Sequence, residues 1–395
     1  IEEVYRAQMV LKDVARHPKI IGPTNLSETC EIYLKPENLQ HTGSFKLRGA
    51  YYKISQLSDD EKKRGVIACS AGNHAQGVAL GATHNCIKSL ICLPAGAPIS
   101  KIEATKKLGA EVCLVPGVYD DAYAKALELR DKHGYTFVHP FDDPLVIAGQ
   151  GTIGLEILEE MPEAEAIVVP VGGGGVISGV AFTVKTLRPD IKVYGVQAAG
   201  AASMAESLAH DRREHLPGVK TIADGIAVKE PGVNTFDICK RYVYQVVTVN
   251  DDDIAGAILS LIEKHKLVAE GAGAAAVAAA MYGKLPIEGK KVVCLVSGGN
   301  IDVNTLNRII NRGLAKNGRV CQLEMELLDK PGTLSAVLKI VGDQGGNILS
   351  VNHERITTAT EINSCLLHLE LETLNSEHIA RIREALADAG YKIVS

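Results

Sequence analysis

The sequence predicts an α/β protein: a mostly parallel sheet covered by helices over about residues 30–315, followed by a smaller ferredoxin-like module at 316–395. Three observations carry this expectation. Short apolar stretches alternate with longer helical patterns, each stretch runs into small residues, and near Arg312 to Asn317 the order of elements changes.

The predicted strands of the first part are GVIACSAGNH, SLICLPAGA, AEVCLVPG, AIVVPVGGGG, KVYGVQAAG and KVVCLVSGGN. Their apolar character is continuous rather than alternating, as expected of strands buried on both faces and joined by helical crossovers. In such folds ligands sit outside the carboxyl ends of the strands, so the glycine-rich tails fall where chemistry belongs. A polar, glycine-punctuated connector, RGLAKNG, then leads to a strand (Arg319–Leu328), the turn DKPG, a helix (Thr333–Gln344), GGN and a strand (Asn347–Arg355). A second strand (Glu361–Glu372), a helix (Glu377–Ala389) and a last strand (Tyr391–Val394) complete a βαββαβ order, the ferredoxin-like arrangement.

With 395 residues, 46% of them hydrophobic, the chain can bury the cores of two or three domains. Its net charge of -5 comes from intermixed acids and bases, which argues against a nucleic-acid or membrane-surface partner. The small-residue run Gly271 to Tyr282 is too short to span a bilayer, and no charged-then-apolar leader opens the chain. A cytoplasmic protein is expected. The nine cysteines are scattered without a C-x-x-C pair, which fits small core residues in a reducing compartment.

The strongest local signal is Gly172, Gly173, Gly174 and Gly175 between an apolar strand and a helix start. Adjacent glycines weaken any regular element, but a loop of backbone N–H groups at a helix N-terminus can close around a phosphate. A P-loop would need Lys and then Ser or Thr after the last glycine, where Val176 and Ile177 stand. A dinucleotide fold would end the next strand with an acid, and KVYGV is followed by Gln197. A small phosphate monoester remains. In HTGSFKLRGA (41–50), Lys46 taken alone reads as an exposed first-turn residue whose stem covers apolar surface. It becomes a nucleophile only beside a partner, and the phosphate cradle supplies one.

SFKLRGA around Lys46, SAGNHAQGVA at 70–79, VGGGG at 171–175 and SGGN at 297–300 resemble the fold-type II pyridoxal-phosphate enzymes, in particular the threonine/serine dehydratase group. The resemblance covers about residues 1–315 and implies a tryptophan synthase β-like fold, its small subdomain (about 45–145) inserted in the large one. It implies pyridoxal 5'-phosphate held as a Schiff base by Lys46, with Phe45 beside the pyridine ring. Asn73 would bond the ring's phenolic oxygen, Gly172 to Gly175 the phosphate, and Ser297 would face the pyridine nitrogen. Ser70, Ala71, Gly72, Asn73 and His74 would clasp the substrate carboxylate, mostly through backbone N–H groups. His74 has no catalytic role in this reading.

The implied reaction is loss of water from L-threonine, with L-serine as a side substrate, giving an enamine that hydrolyses to a 2-oxo acid and ammonia. It would be the first step toward isoleucine or threonine catabolism. Burial against an aromatic ring lowers a lysine's pKa and suits Lys46 as the base. A neutral serine beside the pyridine nitrogen limits electron withdrawal into the ring, which favours prompt loss of a β-hydroxyl. The phosphate would protonate the departing hydroxide. Serine racemases of the group carry a serine where Ala71 stands, so racemisation should be weak. A serine dehydratase, a racemase of the same fold and a non-catalytic amino-acid sensor are the rival readings. No residue is assigned to a metal: a cation site of the group would need a carboxylate soon after KVYGV, and none precedes Glu206.

The C-terminal module resembles an ACT domain, a small amino-acid-binding regulatory fold. That resemblance implies an amino-acid effector, isoleucine first, at Gly332, Thr333 and Leu334 of one copy and Asn347 and Ile348 of another. A homodimer or homotetramer follows from it.

Overall fold

The computed structural model describes residues 1–355 and 363–394. They form two compact units, Ile1–Asp302 and Val303–Ser395. In the first unit the strands are β1 (Glu31–Pro36), β2 (Val66–Cys69), β3 (Ser89–Pro94), β4 (Glu111–Val115) and β5 (Thr136–Phe137). They continue with β6 (Ala166–Pro170), β7 (Lys192–Ala198), β8 (Gln245–Val249) and β9 (Lys291–Val296). The larger sheet has the order β1-β9-β6-β7-β8 and the smaller β4-β3-β2-β5, each parallel throughout.

The smaller sheet lies wholly within the chain between β1 and β6. All six strands read from the sequence are present. β1, β5 and β8 come in addition: β1 and β8 flank the larger sheet, β5 flanks the smaller, and none runs into a glycine tail.

The larger core forms because every residue of β6 is buried and Ile167, Val169, Val193 and Leu295 meet Ile177, Val180 and Val184 of the helix Gly175–Leu187. Each such side chain taken fully from water contributes about 1.5–3 kcal/mol. The helix Gly271–Met281 is made almost entirely of Ala and Gly, so it sits deep with no polar face.

The second unit begins earlier than the sequence indicates. RGLAKNG is no open connector: Val303–Lys316 is one helix, and it belongs with the C-terminal unit rather than with the first. Leu306, Ile309, Ile310, Gly313 and Leu314 recur at helical spacing, and Ile309 and Gly313 are buried. Gly313 is therefore a buried residue of the helix, which ends at Lys316, two residues before Gly318 with φ +65°.

Beyond it lie β10 (Val320–Leu328), a helix (Thr333–Asp343), β11 (Asn347–Glu354), β12 (Ser364–Glu372), a helix (Ser376–Asp388) and β13 (Lys392–Ile393). The antiparallel sheet has the order β11-β12-β10-β13, a ferredoxin-like βαββαβ topology. Glu361 and Ile362, assigned above to a strand, lie outside the described residues.

Candidate active site

Lys46 is the first residue of the helix Lys46–Ser55, reached from β1 through the short 3-10 turn Glu37–Leu39. A bridge between Ser44 and Gly298 holds the approach, and the Phe45 N–H donates to Ser297 O at 3.1 Å. The SFKLRGA and SGGN motifs thus form one backbone junction at the carboxyl ends of the neighbouring strands β1 and β9. The Lys46 side chain is partly buried, its Nζ donating to Pro140 O at 2.6 Å and lying 5.4 Å from the centroid of the Phe45 ring. Burial lowers its pKa to about 8, against the attraction of the Glu270 carboxylate. A fraction of Lys46 is therefore neutral, and nucleophilic, near physiological pH. The helix Asn73–His84 packs on this turn so closely that a Cβ on Gly77 would meet the Lys46 carbonyl carbon at 3.0 Å.

Asn73 opens that second helix, and its amide is held from both sides. Its Nδ2 donates to Glu270 Oε1 at 2.6 Å, while its Oδ1 accepts from Asn300 Nδ2 at 2.7 Å. Glu270 is buried, and its pKa is raised to about 7, first by burial and then by Asp224, with Asn73, Lys101 and Lys46 opposing.

The glycine tetrad follows β6. Gly174 adopts φ +97°, a left-handed conformation that favours glycine, and starts the helix Gly175–Leu187 without a side-chain cap. The first amides of that helix have no intrahelical partner, which makes this end an anion site. The tetrad is clamped from two sides. A Cβ on Gly173 would fall 2.5 Å from the Phe141 ring, and one on Gly172 would fall 3.0 Å from Ile226 Cα. Thr235 Oγ1 donates to Gly173 O at 2.6 Å. Because Pro140 receives Lys46 and Phe141 packs on the tetrad, two adjacent residues tie the lysine tip to the anion cradle.

The turn Ser70 to His74 lies at the carboxyl end of β2. Two of its amides are already engaged: the Ser70 N–H donates to Cys92 O at 3.2 Å and the Gly72 N–H to Ser70 Oγ at 3.1 Å. Two of the N–H groups expected to donate to a substrate carboxylate are thus paired within the protein here, with the Ser70 hydroxyl beside them. Ala71, Asn73 and His74 keep that capacity at the start of a helix. His74 is buried with Nε2 2.8 Å from Val138 O, and burial and then Lys46 lower its pKa to about 3. A neutral histidine fixed in this way is structural.

Ser297 is buried at the end of β9, on the same junction as Phe45. The structure thus brings Phe45, Lys46, Asn73, Ser297 and, through Pro140–Phe141, Gly172 to Gly175 to one place. Glu270, Asn300, Pro140, Phe141 and Thr235 escaped the sequence reading. Asn300 closes the quoted SGGN, and Glu270 is an acid directly before an almost wholly apolar helix, a pattern that signals a buried carboxylate.

In the C-terminal unit a cavity of about 410 Å³ is lined by Glu326, Leu328, Lys330, Gly332, Thr333 and Tyr391 among others. Gly332 and Thr333 are thus placed at a cavity. Leu334, Asn347 and Ile348 are not among its lining residues, and Asn347 Nδ2 donates to Glu372 Oε2 at 2.9 Å.

A lysine of lowered pKa beside an amide, a buried carboxylate and a glycine anion cradle, at the carboxyl edge of two parallel sheets, defines a lysine-anchored cofactor enzyme. The family described as "Pyridoxal-phosphate dependent enzyme" matches residues 19–298, and the chain belongs to it. It is 51% identical over 395 residues, covering 100% of this chain and 98% of the relative, to a protein named L-threonine ammonia-lyase from Thermotoga maritima. Among solved structures, the processed form of threonine deaminase isoform 2 from Solanum lycopersicum matches with a TM-score of 0.75 at 38% identity, covering 79% of this chain and 88% of that one. Maize serine racemase matches with a TM-score of 0.74 at 32% identity, covering 80% and 98%. The donor set fits pyridoxal phosphate: an amine for its aldehyde, an anion cradle for its phosphate, an amide N–H for its phenolic oxygen and a hydroxyl for its ring nitrogen.

Proposed function

We propose that this chain is a threonine ammonia-lyase that converts L-threonine to 2-oxobutanoate and ammonia, with L-serine to pyruvate as a side activity. The observation that carries the reading is Lys46 itself, partly buried with its pKa lowered to about 8 at the junction of the four motifs. Pyridoxal phosphate, held by Lys46 and by Gly172 to Gly175, supplies an electron sink for the α-carbon.

The chain's own groups do the rest. Phe45 would pack beside the ring, and Asn73 would present an N–H to its oxygen. Ser297, which carries no charge, would serve the ring nitrogen. Ala71, Asn73 and His74 amides orient the substrate carboxylate, and the Lys46 amine takes the α-proton. Position 71 carries an alanine, so that residue supplies no hydroxyl to return a proton to the opposite face, which favours elimination over racemisation. The water lost at the β-carbon is regained when the released enamine hydrolyses, so the net products are the 2-oxo acid and ammonia.

The C-terminal unit is proposed to be an ACT domain that binds an amino acid such as isoleucine. The cavity at Gly332 and Thr333, at the N-terminus of the helix Thr333–Asp343, supports a carboxylate there. The edge strand β11, with Leu349 49% and Val351 42% exposed, supports pairing with a second copy in a homo-oligomer that brings Asn347 and Ile348 to the ligand. An effector regulates only by favouring one of two arrangements.

The test is the rate of 2-oxo acid formation from threonine and from serine, with and without isoleucine. Faster turnover of threonine, reduced by isoleucine, is expected. A cofactor-loaded protein that forms no 2-oxo acid from either substrate contradicts the reading.

A further inference from the structure

Glu270 precedes the helix Gly271–Met281, yet its side chain caps nothing there. It turns instead to Asn73, whose Nδ2 reaches Oε1 at 2.6 Å. The orientation of the Asn73 amide follows from its neighbours. Asn300 Nδ2 donates to Thr42 O and to Asn73 Oδ1, both at 2.7 Å, and so commits its two protons. Asn73 must therefore turn its oxygen to Asn300 and its nitrogen to Glu270, which leaves one N–H. A flipped amide would set nitrogen against nitrogen on one side and oxygen against a carboxylate on the other. The arrangement is tightly packed, since a Cβ on Gly298 would fall 2.5 Å from Glu270 Oε1 and 3.1 Å from Asn73 Nδ2.

We propose that Glu270 is a positioning residue: it locks the Asn73 amide so that its remaining N–H faces the cofactor oxygen. The inference rests on the pyridoxal-phosphate reading of the same site. The charged groups that act on Glu270 come from three separate elements. They are Lys46, Asp224 of the 3-10 turn Asp224–Ile226, and Lys101 of the helix Ile99–Lys107, with Lys101 and Asp224 paired at 2.8 Å.

Glu270→Gln keeps an oxygen acceptor for Asn73 but removes the charge, whereas Glu270→Ala removes both. Cofactor affinity is measured by absorbance titration beside kcat and KM. Glu270→Gln should keep cofactor affinity within about twofold of wild type, because its amide oxygen still accepts from Asn73. Glu270→Ala should weaken cofactor affinity about as much as Asn73→Ala, and the double variant should lose no more than either single one. A loss in Glu270→Gln as large as that in Glu270→Ala, or additive losses in the double variant, overturns the proposal. Failure of the cofactor reading shows separately, as a wild-type protein that stays colourless with added pyridoxal phosphate.

Discussion

Arg48 and Glu37 pair through two parallel hydrogen bonds out of water, Nε to Oε2 at 2.8 Å and Nη2 to Oε1 at 2.7 Å. Glu156 closes on the same guanidinium at 2.5 and 2.9 Å and also accepts Lys35, which in turn reaches Glu160. Arg48 lies two residues after Lys46 and thereby anchors the helix that carries it. Arg48→Met should lower stability by about 3–5 kcal/mol, because the buried Glu37 carboxylate loses its counter-charge while Glu156 keeps Lys35. Urea unfolding of the variant beside wild type measures this, and a loss under about 1 kcal/mol, the range of a surface pair, would argue against the anchor.

Gly174→Ala tests the anion cradle. At φ +97° a Cβ would meet Thr235 Cβ and the Met204 methyl at 2.8 Å each, so strain and contact act together. Backbone strain of this kind costs about 1–3 kcal/mol. Pyridoxal phosphate should bind at least about tenfold more weakly while the circular dichroism spectrum is retained, as an absorbance titration would show.

His74 gives the fold an acid limit. In the unfolded chain a histidine titrates near 6.5, whereas burial holds His74 neutral down to about 3. Between these values the unfolded state binds a proton that the folded state refuses, so stability falls as pH drops, by up to about 1.4 kcal/mol per unit. His74→Gln should show a shallower loss than wild type between about pH 6 and about pH 4. Equal slopes would mean that His74 takes up its proton in the folded state.

Thr333 reports on the proposed effector site. Its Oγ1 is buried and has no hydrogen-bond partner among the described residues. It stands at a helix N-terminus beside the cavity. Thr333→Val keeps the shape and removes the hydroxyl, and should weaken isoleucine binding to the full chain by about 1.5–3 kcal/mol, the value of a bond to a charged group. Calorimetry gives the difference directly.

What the sequence reveals depends on how local the signal is. The strand-to-glycine junctions at Gly72, Gly172 and Gly298 are legible because each is written in adjacent residues. The partners of those junctions are not. Asn73 meets Glu270 across 197 residues and Asn300 across 227, and no local pattern announces either pairing. Pro140 and Phe141 carry no motif, since their roles come from a backbone carbonyl and a ring filling the space of missing Cβ atoms. The helix Val303–Lys316 was obscured by Gly313, which is buried within it rather than ending it. Ser70 and Gly72 sit where the motif places them, but the amides they spend on Cys92 and Ser70 become visible only in three dimensions.

The central claim is that Lys46 holds the cofactor, and borohydride reduction followed by peptide mapping tests it most directly. The cofactor-loaded protein should be yellow, lose its visible band on reduction, and carry a pyridoxyl group on the peptide containing Lys46. Lys46→Ala should carry none and form no 2-oxo acid while keeping its fold. A pyridoxyl group fixed on another lysine, or an active Lys46→Ala protein, would contradict the account.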